Sequence, residues 1–302
     1  MLQTFPNFEE LRDLILLAKR EDLGPTGDDV TSRLTLDEHA VGVATLVQKE
    51  VGIACALPIV EMICRVYDER LRVEQIPGFH FDVIEARYSD QRSTPLVRIR
   101  GPVRSLLAAE RVILNFLQRA CGVATLTHRF VRRVAGTQAK VYDTRKTLPG
   151  FRALDRYAVR VGGGHNHRAG LYDAVLIKDN HLAGIPPRDL AGRVARVVSA
   201  SRAENPTRLI EVEADTLEQV REILKVEGVD VILLDNMDCP RMRSAVEMRD
   251  AAGRGGKVEL EASGGVSLET VRSIAETGVE RISVGAITHS AAALDIGMDI
   301  EV

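Results

Sequence analysis

The sequence predicts an α/β protein in which an irregular α+β segment is followed by a regular series of strand–helix units. Helix and strand patterns are mixed unevenly in the first third of the chain, whereas six short apolar runs, each followed by a helical pattern, recur between residues 139 and 285. Strands that alternate with helices at these lengths form parallel sheets. This part of the chain is too short for the eight units of a standard α/β barrel, so we expect an incomplete barrel.

Composition limits the class of protein. The chain has 302 residues, 45% of them apolar, which is enough for one large domain or two ordinary ones. A net charge of -3 argues against a nucleic-acid partner. We also expect no membrane partner, because long apolar runs are missing and the N-terminus is acidic. Four cysteines without C-x-x-C spacing indicate buried, reduced thiols and a cytoplasmic protein.

The first 135 residues contain helix and strand signals in an uneven order. A helix is predicted over residues 7–22, because Asn7 can cap it and Glu10 follows three residues later. Strands are predicted at residues 41–49, 51–56, 72–76 and 96–100, with a helix at 57–67. The long helical region 103–135 is expected to be interrupted at Gly122. Residues 78–90 give a strand-like pattern and no functional signal.

The second part contains the six apolar runs, at residues 139–143, 173–179, 208–213, 230–235, 257–263 and 281–285. An open doubly wound sheet is the alternative to a barrel. We favour the barrel because no dinucleotide-binding fingerprint follows the first strand and because polar residues stand where the runs end. These residues are Asp143, Arg145, Lys146, Lys178, Glu213, Asp235, Glu261, Ser263 and Gly285.

The carboxyl ends of barrel strands converge on one face, where active sites are built. Arg145 and Lys146 are therefore expected to face Lys178 across a pocket, with Glu213 and Asp235 completing its rim. Charged residues that merely cap strand ends in water are the alternative for any single position. The segment 162–181 adds His165, His167, Arg168 and His181. Zinc is disfavoured there because no carboxylate or thiol stands at metal-ligand spacing.

The charges predict the chemistry of the ligands. Several cations in one pocket suit a small polyanion with at least two acidic groups. Glu213 and Asp235 are hard oxygen ligands suited to magnesium. The glycine turns at residues 262–267 and 283–290 predict backbone cups for phosphate, the first leading into a helix from Ser267.

These motifs resemble those of the quinolinate phosphoribosyltransferases, also called nicotinate-nucleotide pyrophosphorylases (carboxylating). The resemblance covers nearly the whole chain and is most specific at "ERVILNFLQRACGVAT", "DTRKTLPG", "GGGHNHR", "LIKDNH", "EVE", "LLDN", "EASGGV" and "SVGAITHS". It implies an N-terminal α/β sandwich domain (residues 1–108), a partly open, incomplete TIM-like α/β barrel (109–285) and a C-terminal segment (286–302) that returns to the first domain. It also implies a homodimer, with higher oligomers left open.

The resemblance further implies the reaction and its residues. Quinolinate and phosphoribosyl pyrophosphate would give nicotinate mononucleotide, CO2 and pyrophosphate, with Mg²⁺ as cofactor, in NAD biosynthesis. Catalysis would depend on Lys146, Lys178, Glu213 and Asp235, the last two at the metal. The implied ligands of quinolinate are Arg145, Lys146, His167, Arg168 and Lys178, with Arg111 donated by the partner subunit. Ser263, Gly264, Gly265 and Gly285 would bind the 5-phosphate.

Three alternatives remain at this point. A homologue associated with molybdenum transport shares part of the pattern, but Lys178 in "KDNH" argues against it. A Schiff-base barrel aldolase could use Lys178 as its nucleophile. The third alternative is an anion-binding or structural barrel without catalytic activity, in which the cations at the strand ends would only bind an anion.

Overall fold

The computed structural model describes residues 5–76, 87–89 and 93–302, which form two compact units. Residues 5–128, 147–163 and 290–302 belong to the first unit, and residues 129–146 and 164–289 to the second. The predicted domain limits at residues 108 and 285 stay predictions. Of the segment 78–90, residues 87–89 form a short strand and the others lie outside the described residues.

The elements follow one another as α1 (Phe8–Leu23), α2 (Val30–Thr35), β1 (Val41–Gln48), β2 (Gly52–Ala54), α3 (Pro58–Tyr67), β3 (Arg72–Gln75), β4 (Arg87–Ser89), β5 (Thr94–Pro102), α4 (Val103–Val134), β6 (Lys140–Tyr142), α5 (Arg152–Val161), β7 (Val175–Ile177), α6 (Pro187–Glu204), β8 (Ile210–Ala214), α7 (Leu217–Ile223), β9 (Val231–Asp235), α8 (Cys239–Ala251), β10 (Glu259–Ser263), α9 (Val271–Ala275), β11 (Arg281–Ser283), α10 (Ala286–His289) and β12 (Ile296–Glu301). A 3₁₀ turn at Asp179–His181 follows β7.

The first unit is built on an antiparallel sheet in the order β12-β1-β5-β3, with β2 and β4 paired separately. Its first helix begins as predicted: Asn7 accepts the N–H of Glu10, and Glu10 in turn accepts the N–H of Asn7. Leu11 and Ile15, one turn apart on α1, are wholly buried. The predicted strands and the helix α3 are confirmed to within a few residues.

The predicted interruption of the long helix at Gly122 is wrong. Helix α4 runs without a break for 32 residues. Gly122 stands where the chain passes close to α4, since a Cβ there would overlap the carbonyl oxygen of Ala292. That passage is tied to α4, because Leu294 donates its N–H to the Gln118 carbonyl at 3.0 Å. Glycine therefore allows a close approach and does not end the helix.

We expect Gly122→Ala to destabilise the protein by about 1–3 kcal/mol, since the added methyl must displace a fastened backbone segment. The measurement is the urea concentration at half-unfolding. Gly192→Ala on α6 is the matched control, because nothing lies within 4 Å of its added Cβ. That change should be neutral or stabilise the helix by up to about 1 kcal/mol. Equal midpoints for the two variants would contradict the role given to Gly122.

The second unit contains a six-stranded parallel sheet in the order β6-β11-β10-β9-β8-β7. The six strands follow the ring in chain order, because the last strand, β11, pairs with the first, β6. A doubly wound sheet would instead reverse its strand order at a switch point. The predicted partly open barrel is confirmed, with its opening between β6 and β7. Beside this opening, His165 forms a bridge with Tyr142 of β6.

Apolar side chains from the strands pack the sheet, and Ile232, Leu234, Leu260, Ala262 and Ile282 are wholly buried. The polar residues that follow the strands are therefore held on a rigid base. Among the residues that the structure describes, no helix is long and apolar enough to span a bilayer.

Candidate active site

The end of β6 carries the first two predicted cations. Arg145 and Lys146 follow Asp143, whose carboxylate is completely buried. Asp143 accepts the backbone N–H of His167 at 2.6 Å and the side-chain amide of Asn166 at 2.5 Å. Residues 162–181, the glycine–histidine segment, are thus hydrogen-bonded directly to the end of β6, just before Arg145 and Lys146.

Lys146 also lies beside the turn after β11. The hydroxyl of Thr288 donates to the Lys146 carbonyl at 2.9 Å. A Cβ on Gly285 would lie 3.2 Å from Lys146 Cδ, so the lysine side chain passes close to this glycine. The structure therefore brings together the predicted cation Lys146 and the predicted phosphate-binding glycine, as expected for neighbouring strands.

Arg168 lies close to Arg145. Burial and then repulsion from the Arg145 guanidinium lower the pKa of Arg168. Its guanidinium also contacts the carbonyl of Ala174, with Nη1 at 3.3 Å. Two guanidinium groups held near each other form a site that favours an anion between them.

Lys178 and Glu213 end the neighbouring strands β7 and β8. Lys178 Nζ lies 3.6 Å from Glu213 Oε2, and the lysine side chain is half exposed. The backbone N–H of Asp179 donates to Glu213 Oε1 at 3.3 Å. Burial raises the pKa of Glu213, an effect that the Asp179 N–H and Lys178 oppose.

Three carboxylates at the ends of β8 and β9 could hold a metal ion together. One oxygen each of Glu213, Asp215 and Asp235 lies within 4.8 Å of the others. Three oxygen donors at this spacing fit a hard cation such as magnesium. The sequence reasoning missed Asp215. Its signal was the alternation in "EVEAD", which places residues 211, 213 and 215 on one face of a strand.

The turn after β10 contains the other glycines. Gly264 and Gly265 have φ values of +94° and +60°. A Cβ on Gly264 would overlap the side-chain oxygen of Asn236. The backbone N–H of Asn236 donates to the Ser263 carbonyl at 2.9 Å. The ends of β9 and β10 are thus fastened together. The helix predicted from Ser267 begins at Val271 instead, because residues 267–270 form a turn held by the Ser267 and Thr270 hydroxyls.

A second group of polar side chains lies within the strands β8, β10 and β11. It comprises Glu211, Glu261, Arg281 and Ser283, all buried. Burial and repulsion from Glu261 raise the pKa of Glu211. Burial also opposes ionisation of Glu261, but attraction from His167 and Arg281 outweighs it and lowers the pKa of Glu261. The sequence reasoning missed Glu211.

His167 reaches into this group. Its Nε2 lies 2.9 Å from Glu211 Oε2 and 3.4 Å from Glu261 Oε1. Burial opposes a charged ring, but the two carboxylates outweigh it and raise the pKa of His167 to about 10. In the neutral ring Nδ1 accepts the N–H of Arg168 at 2.7 Å, whereas in the charged ring that the raised pKa favours Nδ1 carries a proton. In both protonation states, the N–H at Nε2 faces the carboxylates.

The three histidines of the glycine–histidine segment lie in different surroundings. His165 pairs with β6 through its backbone, His167 contacts the two glutamates, and His181 Nδ1 accepts the N–H of Lys178 at 2.9 Å. The three histidines therefore do not come together as one set of metal ligands, and only His167 lies with carboxylates, those of Glu211 and Glu261, at a spacing that a metal ion could bridge.

Arg111 belongs to the first unit. It lies on α4 and is exposed, as is Asn115 one turn later, whereas Val112, Ile113 and Leu114 between them are buried. Its side chain is accessible for contact with another molecule. Its predicted role in the partner subunit's site stays a prediction.

Comparison with known proteins identifies the family of this chain. Two family models match the chain: the quinolinate phosphoribosyl transferase N-terminal domain at residues 29–121 and its C-terminal domain at residues 123–299. The nicotinate-nucleotide pyrophosphorylase [carboxylating] of Mycobacterium leprae is 43% identical over 293 residues, covering 97% of this chain and 98% of the relative. A probable enzyme of the same name from Bacillus subtilis is 37% identical, covering 97% and 94%.

Solved structures give the same result. The nicotinate-nucleotide pyrophosphorylase of Francisella tularensis superimposes with a TM-score of 0.85 at 31% identity, covering 100% of this chain and 99% of the other. That of Ehrlichia chaffeensis gives 0.82 at 37% identity, with both chains covered completely. Sequence and structure agree over the full length, so this chain belongs to the quinolinate phosphoribosyltransferase family.

Proposed function

We propose that this chain transfers a phosphoribosyl group to quinolinate and releases CO2, forming nicotinate mononucleotide for NAD biosynthesis. The observation that carries the proposal is the arrangement of charge. Arg145, Lys146 and Lys178 follow the two strands that border the barrel opening, and Glu213 and Asp235 end the next two strands. A site for a dianion thus lies on the same sheet as a site for a metal-bound phosphate ester.

The cations bind and orient the aromatic dicarboxylate. Arg145, Lys146, Arg168 and Lys178 pair with its two carboxylates, and Arg168 offers the planar fork that matches a carboxylate. The proximity of Arg145 and Arg168 supports this role, because an anion between them would relieve their repulsion. His167 is the remaining predicted ligand of the dicarboxylate in this chain, and its ring is buried beside Glu211 and Glu261.

Glu213, Asp215 and Asp235 would hold magnesium, which would stabilise negative charge on the departing pyrophosphate. The glycine turn at Gly264 and Gly265 and the turn at Gly285 would receive the 5-phosphate through backbone N–H groups. Asn236 supports this role, because its contact with Gly264 fixes the first turn.

Bond changes follow from this placement. The pyridine nitrogen attacks the anomeric carbon, and the bond to pyrophosphate breaks with its electron pair leaving on oxygen. The alkylated ring then accepts the electrons of the bond to its 2-carboxylate, CO2 departs, and the ring carbon takes up a proton. No side chain has to form a covalent bond, so positioning and electrostatic stabilisation supply the catalysis. A Schiff base at Lys178 is not required.

The test is a turnover assay with quinolinate, phosphoribosyl pyrophosphate and magnesium that measures pyrophosphate and CO2 together. Equal amounts of both products are expected. Nicotinate is the matched control, since it lacks the 2-carboxylate and leaves pocket cations unpaired, and it should be a poor substrate. Comparable efficiency with nicotinate would assign a different phosphoribosyltransferase activity, and pyrophosphate without CO2 would exclude the decarboxylating reaction.

Glu213→Gln and Asp235→Asn are expected to raise the magnesium concentration that gives half-maximal activity by about tenfold or more, because each removes an ionised oxygen ligand. Magnesium titration of activity measures this effect. Glu218→Gln, an exposed change on the adjacent helix α7, is the control and should leave the titration unchanged. A normal magnesium dependence in the first two variants would remove these residues from the metal site.

The proposal includes a homodimer, in which Arg111 of one subunit reaches the substrate in the other. The exposed position of Arg111 on α4 supports it. We also propose that the enzyme works in the cytoplasm, because its four cysteines are free and a reducing compartment keeps thiols in that state.

A further inference from the structure

Asn236 is the first residue after β9, and its side chain lies between a proposed metal ligand and the proposed phosphate turn. Its amide nitrogen donates to Asp235 Oδ2 at 2.6 Å. Its amide oxygen occupies the space that a Cβ on Gly264 would need. No role was predicted for Asn236 from the sequence. Because Asp235 ends β9 and Gly264 follows β10, one amide contacts both halves of the site for the phosphoribosyl substrate.

The amide fixes the direction of the Asp235 carboxylate. Asp235 is half-buried, and one of its oxygens lies within 4.8 Å of oxygens of Glu213 and Asp215. Within the described part of the chain, this carboxylate accepts no hydrogen bond except the one from Asn236. Carboxylates that ligate a metal are normally oriented by such a hydrogen-bond donor. One oxygen of Asp235 is thus held by the amide, and the other stays available to a metal ion.

The same side chain fixes the turn after β10. Gly264 has a φ of +94°, and the Asn236 amide packs directly against its Cα. The backbone N–H of Asn236 also donates to the Ser263 carbonyl, so backbone and side chain together join the ends of the two strands. Backbone N–H groups bind phosphate well only when the turn that presents them is held in one conformation. The Asn236 amide provides that support from one side.

The backbone at Asn236 offers a simpler explanation for an asparagine here. Its φ is +51°, a left-handed conformation that asparagine adopts more readily than most residues do. In that explanation the amide has no function of its own. Glycine adopts this conformation without strain, so Asn236→Gly removes the amide and keeps the backbone. The glycine variant therefore separates a role of the amide from a role of the backbone.

We propose that Asn236 is a positioning residue that directs Asp235 toward the metal and holds the Gly264 turn for the 5-phosphate. The inference rests on the proposed function. The metal-bound pyrophosphate and the 5-phosphate are two ends of one substrate, so their sites must keep a fixed separation. An amide that contacts both sites maintains this separation, and a displacement of about 1 Å is enough to reduce catalysis strongly.

Mn²⁺ binding tests the first half of the proposal without turnover. The electron paramagnetic resonance signal of free Mn²⁺ gives the dissociation constant. Asn236→Gly should raise this constant by about tenfold or more, because the metal ligand loses the partner that orients it. Asn205→Gly is the matched control, since its exposed amide after α6 also accepts a hydrogen bond close in sequence, and it should change nothing. Unchanged Mn²⁺ affinity in Asn236→Gly would overturn the proposal.

A double-mutant cycle shows whether the amide acts through Asp235. Asp235→Ala removes the carboxylate that the amide orients. In that background Asn236→Gly should change the Mn²⁺ dissociation constant by less than about twofold, because the positioned group is already missing. Losses that multiply in the double variant would overturn a role through Asp235.

Ribose 5-phosphate tests the second half in the absence of metal. Titration calorimetry should give a dissociation constant about threefold or more above the parent value for Asn236→Gly, because the Gly264 turn loses its support. Quinolinate should bind equally to the parent and the variant, since its proposed cations follow β6 and β7. An equal loss of affinity for both ligands would indicate general damage to the fold and would overturn the proposal.

Turnover distinguishes this inference from the proposed function. Asn236→Gly should raise the KM for phosphoribosyl pyrophosphate by about tenfold and leave the KM for quinolinate within about twofold of the parent value. If the parent does not turn over quinolinate, the proposed function fails, whereas the binding of Mn²⁺ and of ribose 5-phosphate still decides the role of Asn236. A rise of both KM values by the same factor would overturn the positioning role.

Discussion

Arg168→Ala is expected to lower kcat/KM for quinolinate by about 30-fold to 4000-fold, which corresponds to a loss of 2–5 kcal/mol for a desolvated charge pair. The Arg168 guanidinium is held near Arg145 by the Ala174 carbonyl and by a fixed backbone. A different side chain would not place a cation in the same geometry once Arg168 is truncated to alanine. Lys146→Ala removes the other cation on this side and should have an effect in the same range.

Steady-state kinetics at saturating phosphoribosyl pyrophosphate measure the effect. Arg188→Ala is the matched control, because Arg188 is highly exposed at the start of α6 and its contact with Asp189 is in solvent. Its kinetics should equal those of the parent. The thermal midpoint of all three variants should remain near the parent value, since the cations lie at strand ends and not in the packed sheet. Near-normal turnover by Arg168→Ala and Lys146→Ala would contradict the assignment of the dicarboxylate site.

Mixing two inactive variants should restore activity. Arg111→Ala and Lys178→Ala, unfolded and refolded together, form mixed dimers in which one site carries both changes and the other neither. Half of the dimers are mixed when subunits pair at random, and each regains one of two sites, so about a quarter of the parent activity should return. Arg111 must act in the partner subunit for this to happen.

The control uses two changes on the same side of the site. Lys146→Ala mixed with Lys178→Ala leaves one change in every site, because both residues belong to the second unit of one chain, and no activity should return. Mass spectrometry confirms that mixed dimers are present. If the Arg111 mixture stays as inactive as this control, Arg111 serves its own subunit or has no role in the site.

The strands and the rim were predictable because their signals are local. Each of the six apolar runs is bounded by polar residues, and the geometry of a parallel barrel places those residues together without knowledge of any contact. Lys146, Lys178 and Glu213 were predicted as rim residues in this way, and the structure places Lys178 beside Glu213. The pattern also favoured a barrel over a doubly wound sheet, which the strand order confirms.

Features that depend on distant contacts were not predictable. Gly122 was read as a helix break, whereas the close passage of Ala292 explains it. Glu211 alternates with apolar residues on β8, a pattern that usually indicates a solvent-facing position, yet it is completely buried. Only the packing of β8 beside β9 and of His167 against both glutamates turns this residue inward as part of a charged layer.

The four-stranded and the six-stranded sheet are each completed by pairings between residues that are far apart in sequence. Lys140 of β6 pairs with Arg281 of β11, and Val43 of β1 pairs with Glu301 of β12. Because pairings of such high contact order form slowly, the last step of folding should be the arrival of these C-terminal strands. During synthesis these edges of β1 and β6 stay unpaired until β12 and β11 have left the ribosome, and unpaired edges favour aggregation. Since Gly285 follows β11, the substrate site should become competent only at this final step.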